Sequence, residues 1–280
     1  MVSIISAANA STVITPDIEY DVLSYKMQTA VDGLPVPDNY AMVRNDATQE
    51  KRVIAITGSR YCIVDHKSLI TQFAEQLDEG KHKYDVTHLV YRDGARIYSR
   101  FMLDQEYEAT TSTGQTKTIR PFLTFNTSYD ASTRIGFTIG ALVDDVYFNV
   151  SSKLYGVSAK HMKGFKLANV LRRVEEAITA FTSKVLPAFE EMIAKDITLN
   201  DAERIIEMAV DANVISKKRA KDLNLGSQST VYDLYKDIVE TVSATSNNKR
   251  ANPENGTIER NTKACEFFMK NLDALFPEND

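Results

Sequence analysis

Long apolar runs, clustered cysteines and the common nucleotide-binding loops are all missing from this sequence, and each absence excludes something. No uncharged stretch is long enough to predict a membrane-spanning helix. The opening MVSIISAANASTVITP has neither a basic start nor an unbroken apolar core. It does not read as a secretion signal, and residues 1–18 are expected to form a loose or exchanged arm, or an edge strand. Cys62 and Cys265 are the two cysteines. Their wide separation predicts buried thiols in a reducing compartment rather than a disulfide framework. The four histidines, His66, His82, His88 and His161, lack metal-ligand spacing. Even on one strand, His82 and His88 would stand roughly 20 Å apart, so no metal site is expected. There is no G-x-x-x-x-G-K-[ST] and no G-x-G-x-x-G, which argues against ATP-driven chemistry and a nucleotide cofactor. No G-x-S-x-G elbow appears, and neither cysteine has a local partner, so no catalytic residues are expected.

What is present is ordinary in bulk and uneven in detail. The 280 residues suffice for one large domain or a domain with an appendage. Apolar residues make up 43% and charged residues 25%, as in globular domains. The segment Val146 to Val174 carries Lys153, Lys160, Lys163, Lys166, Arg172 and Arg173 and no acid. Its +6 leaves −11 on the rest of a chain whose net charge is −5. A concentrated basic segment can hold a polyanion even on an acidic protein. The alternative is a solvated helix start balancing Asp144, Asp145, Glu175 and Glu176.

Patterning predicts an α+β fold, with antiparallel hairpins and a central helix first and a C-terminal helical part after them. Asp21–Thr29 alternates as a strand and is broken by Asp32-Gly33 and Pro35 and Pro37. Tyr40–Arg44 pairs with Arg52–Thr57. Asp65 caps a helix over His66–Glu79, whose apolar Leu69, Ile70, Phe73, Ala74 and Leu77 share one face, and Gly80 ends it. Tyr84–Tyr91 and Arg96–Leu103 flank the turn Arg92-Asp93-Gly94-Ala95. Tyr107–Thr111 with Thr118–Phe125, and Arg134–Leu142 with Val146–Val150, continue the hairpins. From Ala168 to Met192 apolar residues recur at helical spacing, with Pro187 expected to kink the run. Further helices are expected from Thr198, over Val214–Leu223, Val231–Val242 and Glu259–Phe276, with a mobile polar stretch over Thr245–Gly256. The expected division is an arm at 1–18, a sheet domain at 19–165 and a helical part at 166–280.

Two clusters carry chemistry. The connection FNTSYDASTRIGF, residues 125–137, is too long and polar for a simple hairpin turn. Asn126, Ser132 and Arg134 can hold a phosphate through amide, hydroxyl and guanidinium. Asp130 argues against a pure phosphate cradle and can pair with Arg134 to brace the loop, or the whole can be an Asx-turn network. In the basic segment Tyr147, Phe148, Tyr155 and Phe165 stand among the lysines. Cations for phosphates beside rings for unstacked bases are what a single strand needs. The alternative places those rings in the core, above all Phe148 and Phe165.

Several blocks resemble a known family. YAMVRNDATQEKRVIAITGSRYCIVDHKSLITQFAEQL, YDVTHLVYRDGARIYSRFML, NTSYDAST, VYFNVSS, AKHMKG, STVYDLYKDIVETVS and ERNTKACEFFMKNL are similar to segments of the phage- and plasmid-encoded family called domain of unknown function 932. The likeness spans residues 35 to 275 in patches. NTSYDAST resembles the family's Asn-Ser-His-Asp-Gly-Ser signature, with Tyr129 and Ala131 standing where His and Gly are usual. Tyr147 stands where the family has Cys, two residues before Asn149. Those replacements imply binding rather than nucleophilic chemistry. The resemblance implies a loop-bracing role for Asp130, Asn149 and His161, and a phage or plasmid protein in a bacterial cytoplasm. It also implies, by a further likeness, a single-strand annealing protein of the Rad fifty-two or Red-beta type.

The expected function is therefore ATP-independent binding or annealing of single-stranded nucleic acid by a homo-oligomer. Lys153, Lys160, Lys163, Lys166, Arg172 and Arg173 would track the backbone. Tyr129, Tyr147 and Tyr155 would meet bases, and Asn126, Ser132 and Arg134 a phosphate. Two alternatives stand beside it. One is an interaction protein whose acidic surface meets a host defence or repair factor. The other is a metal-dependent nuclease using Asp130, Asp144 and Asp145, although a paired acid at a strand turn more often faces solvent.

Overall fold

Period-two patterning in the first 160 residues and helical periodicity after them are the pattern of an α+β chain, and the fold obeys it. The computed structural model describes residues 2–46, 50–150, 156–162, 165–226, 229–244 and 253–275. The first elements are strands Val2–Ala8 (β1), Asp21–Gln28 (β2), Pro35–Asn45 (β3) and Arg52–Gly58 (β4), then helix His66–Glu79 (α1). Strands Tyr84–Tyr91 (β5), Arg96–Leu103 (β6), Tyr107–Thr110 (β7), Thr116–Ser128 (β8), Ile135–Val143 (β9), Val146–Asn149 (β10) and Val157–Ala159 (β11) follow. The helices are Ala168–Leu171 (α2), Val174–Ala180 (α3), Leu186–Ala194 (α4), Leu199–Asp211 (α5), Lys217–Ala220 (α6), Val231–Ala244 (α7) and Pro253–Leu275 (α8).

Among the described residues the main sheet runs β1-β5-β6-β8-β9-β10, with β7 beside β8 and β11 beside β9. A second sheet has the order β2-β3-β4. The chain forms two compact units that interleave in sequence rather than dividing at residue 165. One takes Met1–Asp104, Leu123–Thr138 and Gly156–Glu176; the other takes Gln105–Phe122, Ile139–Tyr155 and Ala177–Asp280.

The first unit is organised around α1. Asp65 accepts a hydrogen bond from the Ser68 N–H, and Leu69, Ile70, Phe73, Ala74 and Leu77 are buried. The Phe73 ring lies 5.0 Å from Phe101, 5.0 Å from Phe125 and 5.5 Å from Phe137. The helix ends as a Schellman motif, with His82 N–H donating to the Leu77 carbonyl and Lys81 N–H to that of Asp78. The left-handed residue is Lys81, φ 59°, and not Gly80, whose φ is −71°.

Residues 2–18 are no loose arm. β1 pairs antiparallel with β5 at the sheet edge, Val2 opposite Leu89. Val13 and Ile18 are fully buried, and the Val13 carbonyl is 2.8 Å from His88 Nε2, whose Nδ1 meets Ser99 Oγ at 2.8 Å. β2 ends at Gln28, before Asp32-Gly33, as expected; the two prolines lie past the break, in β3, which starts at Pro35, where a missing N–H is tolerated.

In the second unit, Phe148 of β10 packs against Phe189, Tyr232 and Tyr235, and Tyr235 against Phe268. This assigns Phe148 to the core. The helical run expected from 168 to 192 is broken twice, at Arg172-Arg173 and by a π-turn over Phe181–Val185. The turn lies just before Pro187, which has no N–H for the carbonyl four residues earlier. Helix α8 begins at Pro253, not Glu259, so Pro253–Gly256 is helical; residues 245–252 of the stretch expected to be mobile lie outside the described residues. Both cysteines are free, Cys265 buried and Cys62 half-buried.

Gly140 of β9 tests this packing. A Cβ there would lie 2.5 Å from the Phe148 carbonyl oxygen and press on the Phe122 ring. Gly140→Ala is expected to destabilise the protein by about 2 kcal/mol in urea denaturation. A change under about 0.5 kcal/mol would contradict the close approach.

Candidate functional site

The polar connection between β8 and β9 is closed by its own side chains. Ser128 Oγ donates to the Thr133 carbonyl at 3.0 Å and accepts from the Thr133 N–H at 3.2 Å. Asn126 Nδ2 donates to Thr133 Oγ1 and to the Arg134 carbonyl. Asp130 Oδ1 accepts from the Ser132 N–H at 3.0 Å, an Asx turn. Ala131 takes the left-handed φ of 56° that a glycine adopts at less cost.

Asp130 does not pair with Arg134. Its Oδ2 accepts from Arg96 Nε and Nη2, both at 2.8 Å, and Arg92 Nη1 stands 3.6 Å away. Arg96 is buried and Arg134 is exposed. Burial alone would raise the Asp130 pKa, but the hydrogen bonds from Arg96 and Ser132 outweigh it and hold the carboxyl below its ordinary value. Asn126 and Ser132 are thus engaged within the turn.

Tyr129 points inward, which removes it as a platform for bases. It is 1% exposed, its ring stacks on His66 at 3.7 Å, and its hydroxyl accepts the His66 N–H at 3.0 Å. That N–H belongs to the first turn of α1 and has no partner within the helix. Alongside, the Tyr61 hydroxyl donates to the Ser128 carbonyl at 2.5 Å and lies 3.1 Å from His161 Nδ1. A carbonyl can only accept, so the Tyr61 proton goes to Ser128 and His161 donates from Nδ1. The Tyr61 and His161 rings stack at 5.1 Å. Burial pushes the His161 pKa down to about 4, against the Thr133 carbonyl and the Asp130 carboxylate.

This buried polar group backs a cleft of about 640 Å³ lined by Asp38, Arg60, Tyr61, Lys160, His161 and Met162, among others. Asp38 sits in β3 with φ 57°, and Arg60 follows the turn after β4. Lys160 follows β11, which reaches β9 because Gly136 has no Cβ where the Val157 carbonyl passes. Tyr61 bridges Met162, and the Cys62 N–H donates to the His161 carbonyl. Arg60 and Lys160 are exposed and form no ion pair among the described residues, and Asp38 is the acid among the lining side chains.

The remaining basic candidates are scattered. Lys166 and Arg172 are exposed, whereas Arg173 pairs with Glu176. Lys153, Tyr155 and Lys163 lie outside the described residues. Tyr147 is partly exposed, edge-on to Phe122. Phe165 is half-buried. The Asn149 N–H donates to Asn261 Oδ1 at 2.8 Å, which ties β10 to α8. Asp144 and Asp145, with φ of 48° and 61°, form the turn between β9 and β10. Asp144 pairs with Lys117 at 2.5 Å. Nothing local in the sequence marks Arg60, Tyr61, Asp38 and Met162, because their shared cleft is made by long-range pairing.

No protein-family model, curated protein or solved structure matches this chain. Among the described residues, no helix is long and apolar enough to cross a membrane.

Two measurements test this arrangement. Asp130→Asn leaves Arg96 buried without its counter-charge and is expected to cost about 3 kcal/mol in urea denaturation, while Arg134→Ala changes stability by less than about 0.5 kcal/mol. The reverse ranking would restore the Asp130–Arg134 pair. The second is acid sensitivity. His66, His88 and His161 are all held below their ordinary pKa by burial. Below pH ~6.5 the unfolded chain binds protons that the folded one refuses, so stability falls as pH drops below ~6.5, and for His66 and His161 the loss continues towards pH ~4 at about 1.4 kcal/mol per pH unit each. Neither ring nitrogen of His66 has a hydrogen-bond partner. His66→Phe should keep the fold and flatten the slope of melting temperature against pH by one histidine's share.

Proposed function

We propose that the protein binds single-stranded nucleic acid through its phosphates, without ATP and without processing it. The observation that carries this is the pair of exposed cations, Arg60 and Lys160, lining one cleft with no ion-pair partner among the described residues. Cations already neutralised by a neighbour add little to binding a polyanion, whereas unpaired ones release counterions when phosphates replace them. The stacked Tyr61 and His161 rings form part of the wall, so an unstacked base has an aromatic neighbour beside the phosphate contacts. Lys166 and Arg172 are further exposed cations of the same unit. The family resemblance adds the annealing role, self-association, and a phage or plasmid setting in a bacterial cytoplasm, all as parts of the proposal.

The nuclease reading has less support. Asp130 is committed to two guanidinium groups and Asp144 to an ammonium group, so neither offers a free carboxylate for a cation.

Fluorescence anisotropy with a labelled single-stranded oligonucleotide, read at two salt concentrations, tests the proposal. Affinity should fall steeply with salt, and Arg60→Glu with Lys160→Glu should weaken binding at least about tenfold. Loss of two phosphate contacts should also reduce the log–log salt slope by about 1.4. A folded protein that binds no oligonucleotide at low salt removes this function.

A further inference from the structure

The small sheet has two unlike faces. Directly opposed residues in an antiparallel pair share a face, and the face alternates along each strand except in β4, where a bulge at Ile54 puts Val53 and Ile56 on the same side. One set of rows is Val22–Arg44–Arg52 and Ser24–Met42–Ala55. That face is turned into its unit: Met42 and Arg44 are buried, and Arg44 lies over the Tyr20 ring at 4.0 Å while donating to the Asp93 carbonyl at 2.9 Å. The other set is Leu23–Val43–Val53 and Tyr25–Ala41–Ile56. These six side chains include no charge; the row before them on the same face, Asp21–Asn45, has one, and that carboxylate is paired with Lys67 at 2.7 Å. Four of them are open to solvent: Leu23 at 38%, Tyr25 at 46%, Val53 at 60% and Ile56 at 58% exposed.

The four residues expose roughly 400 Å² of mainly apolar surface, the size of the largest patch on a typical monomer, which is often a functional one. A standard interface buries about 800 Å² on each partner around an apolar centre, and this patch supplies about half of that. Val31 and Leu34, in the β2–β3 turn, are also exposed and can widen the rim. The charge pattern selects the occupant. In a two-fold contact the same patch appears on both sides, so any net charge on it meets its like. A patch of six uncharged side chains has no such penalty, and it offers a charged heterologous partner nothing to pair with. Two such sheets can stack face to face about 10 Å apart with interdigitating side chains.

We propose that this face joins two copies of the chain, sheet on sheet, about a two-fold axis. The contact stands independently of the nucleic-acid reading, because its measurement needs no oligonucleotide. The full chain is followed by sedimentation equilibrium over a hundredfold range of concentration. The expected mass is twice 31.4 kDa, falling to 31.4 kDa for a Val53→Lys, Ile56→Lys double variant. Both substituted positions are exposed, so the variant should keep the wild-type circular dichroism and melting profile once dissociation is allowed for. Leu199→Lys, at an exposed apolar position of α5 outside the small sheet, should leave the mass unchanged. A wild type that is monomeric throughout overturns the proposal, as does a folded double variant that keeps the wild-type mass. A monomeric wild type that co-sediments with phosphatidylcholine vesicles assigns the face to a lipid surface instead and overturns it equally.

Discussion

The ion pair between Asp130 and Arg96 fixes the first unit's polar interior. Arg96 is the first residue of β6 and Asp130 lies in the β8–β9 turn, 34 residues on. Two charges removed from water are held only because the carboxylate collects the guanidinium and the Ser132 amide together. Once that turn is tied to the β5–β6 hairpin, its neighbours have few choices. The Tyr129 N–H donates to the Ala95 carbonyl at 2.7 Å, which sends the ring inward onto His66. The Ser128 carbonyl is left facing Tyr61, and Tyr61 orients His161 at the back of the cleft. The Tyr61–His161 wall of the cleft is therefore held from behind by Asp130, Arg96 and Ser128.

Local elements were legible in the sequence where the signal itself is local. Asp65 and the three/four spacing behind it gave α1 with its bounds and its buried face. Thr198 and Asp201 form the expected start of α5, as a capping box. Arg92-Asp93-Gly94 make the turn their types suggest, with φ of 49°, 57° and 97°. The failures share a cause, which is dependence on a distant partner. Nothing near Asp130 marks Arg96 as a better counter-ion than Arg134. Tyr129 sits in a run of polar residues and is buried because α1 brings an unpaired N–H to its hydroxyl. The N-terminal residues look like an arm until β5 offers an edge. A helix start was one of two readings of the basic segment, yet Val157–Ala159 is a strand, admitted by a glycine on the strand opposite.

Counting charges along the chain also gave a poorer guide than asking which charges are engaged. Arg173 and Lys117 are paired with acids, and Arg44 and Arg96 are buried in networks. Lys160 and Arg60 come from separate stretches of sequence and one of them lies outside the basic segment, but they reach one cleft. In the proposed function the cations that matter are these two, which form no ion pair among the described residues, rather than the +6 of a segment.

The same strands serve the cleft and the apolar face. β3 carries Asp38 toward the cleft and Ala41 and Val43 on the apolar side, while β4 carries Val53 and Ile56 and leads through Gly58 to Arg60. A three-stranded sheet with one face in water is held mainly by the face it buries. Covering the other face would restrict the fluctuations of β3 and β4, and with them the positions of Asp38 and Arg60. Ordering a cation before its ligand arrives reduces the entropy lost on binding. In the proposed dimer, self-association and phosphate binding would then favour each other with no contact between the two sites, because both draw on the rigidity of the same two strands.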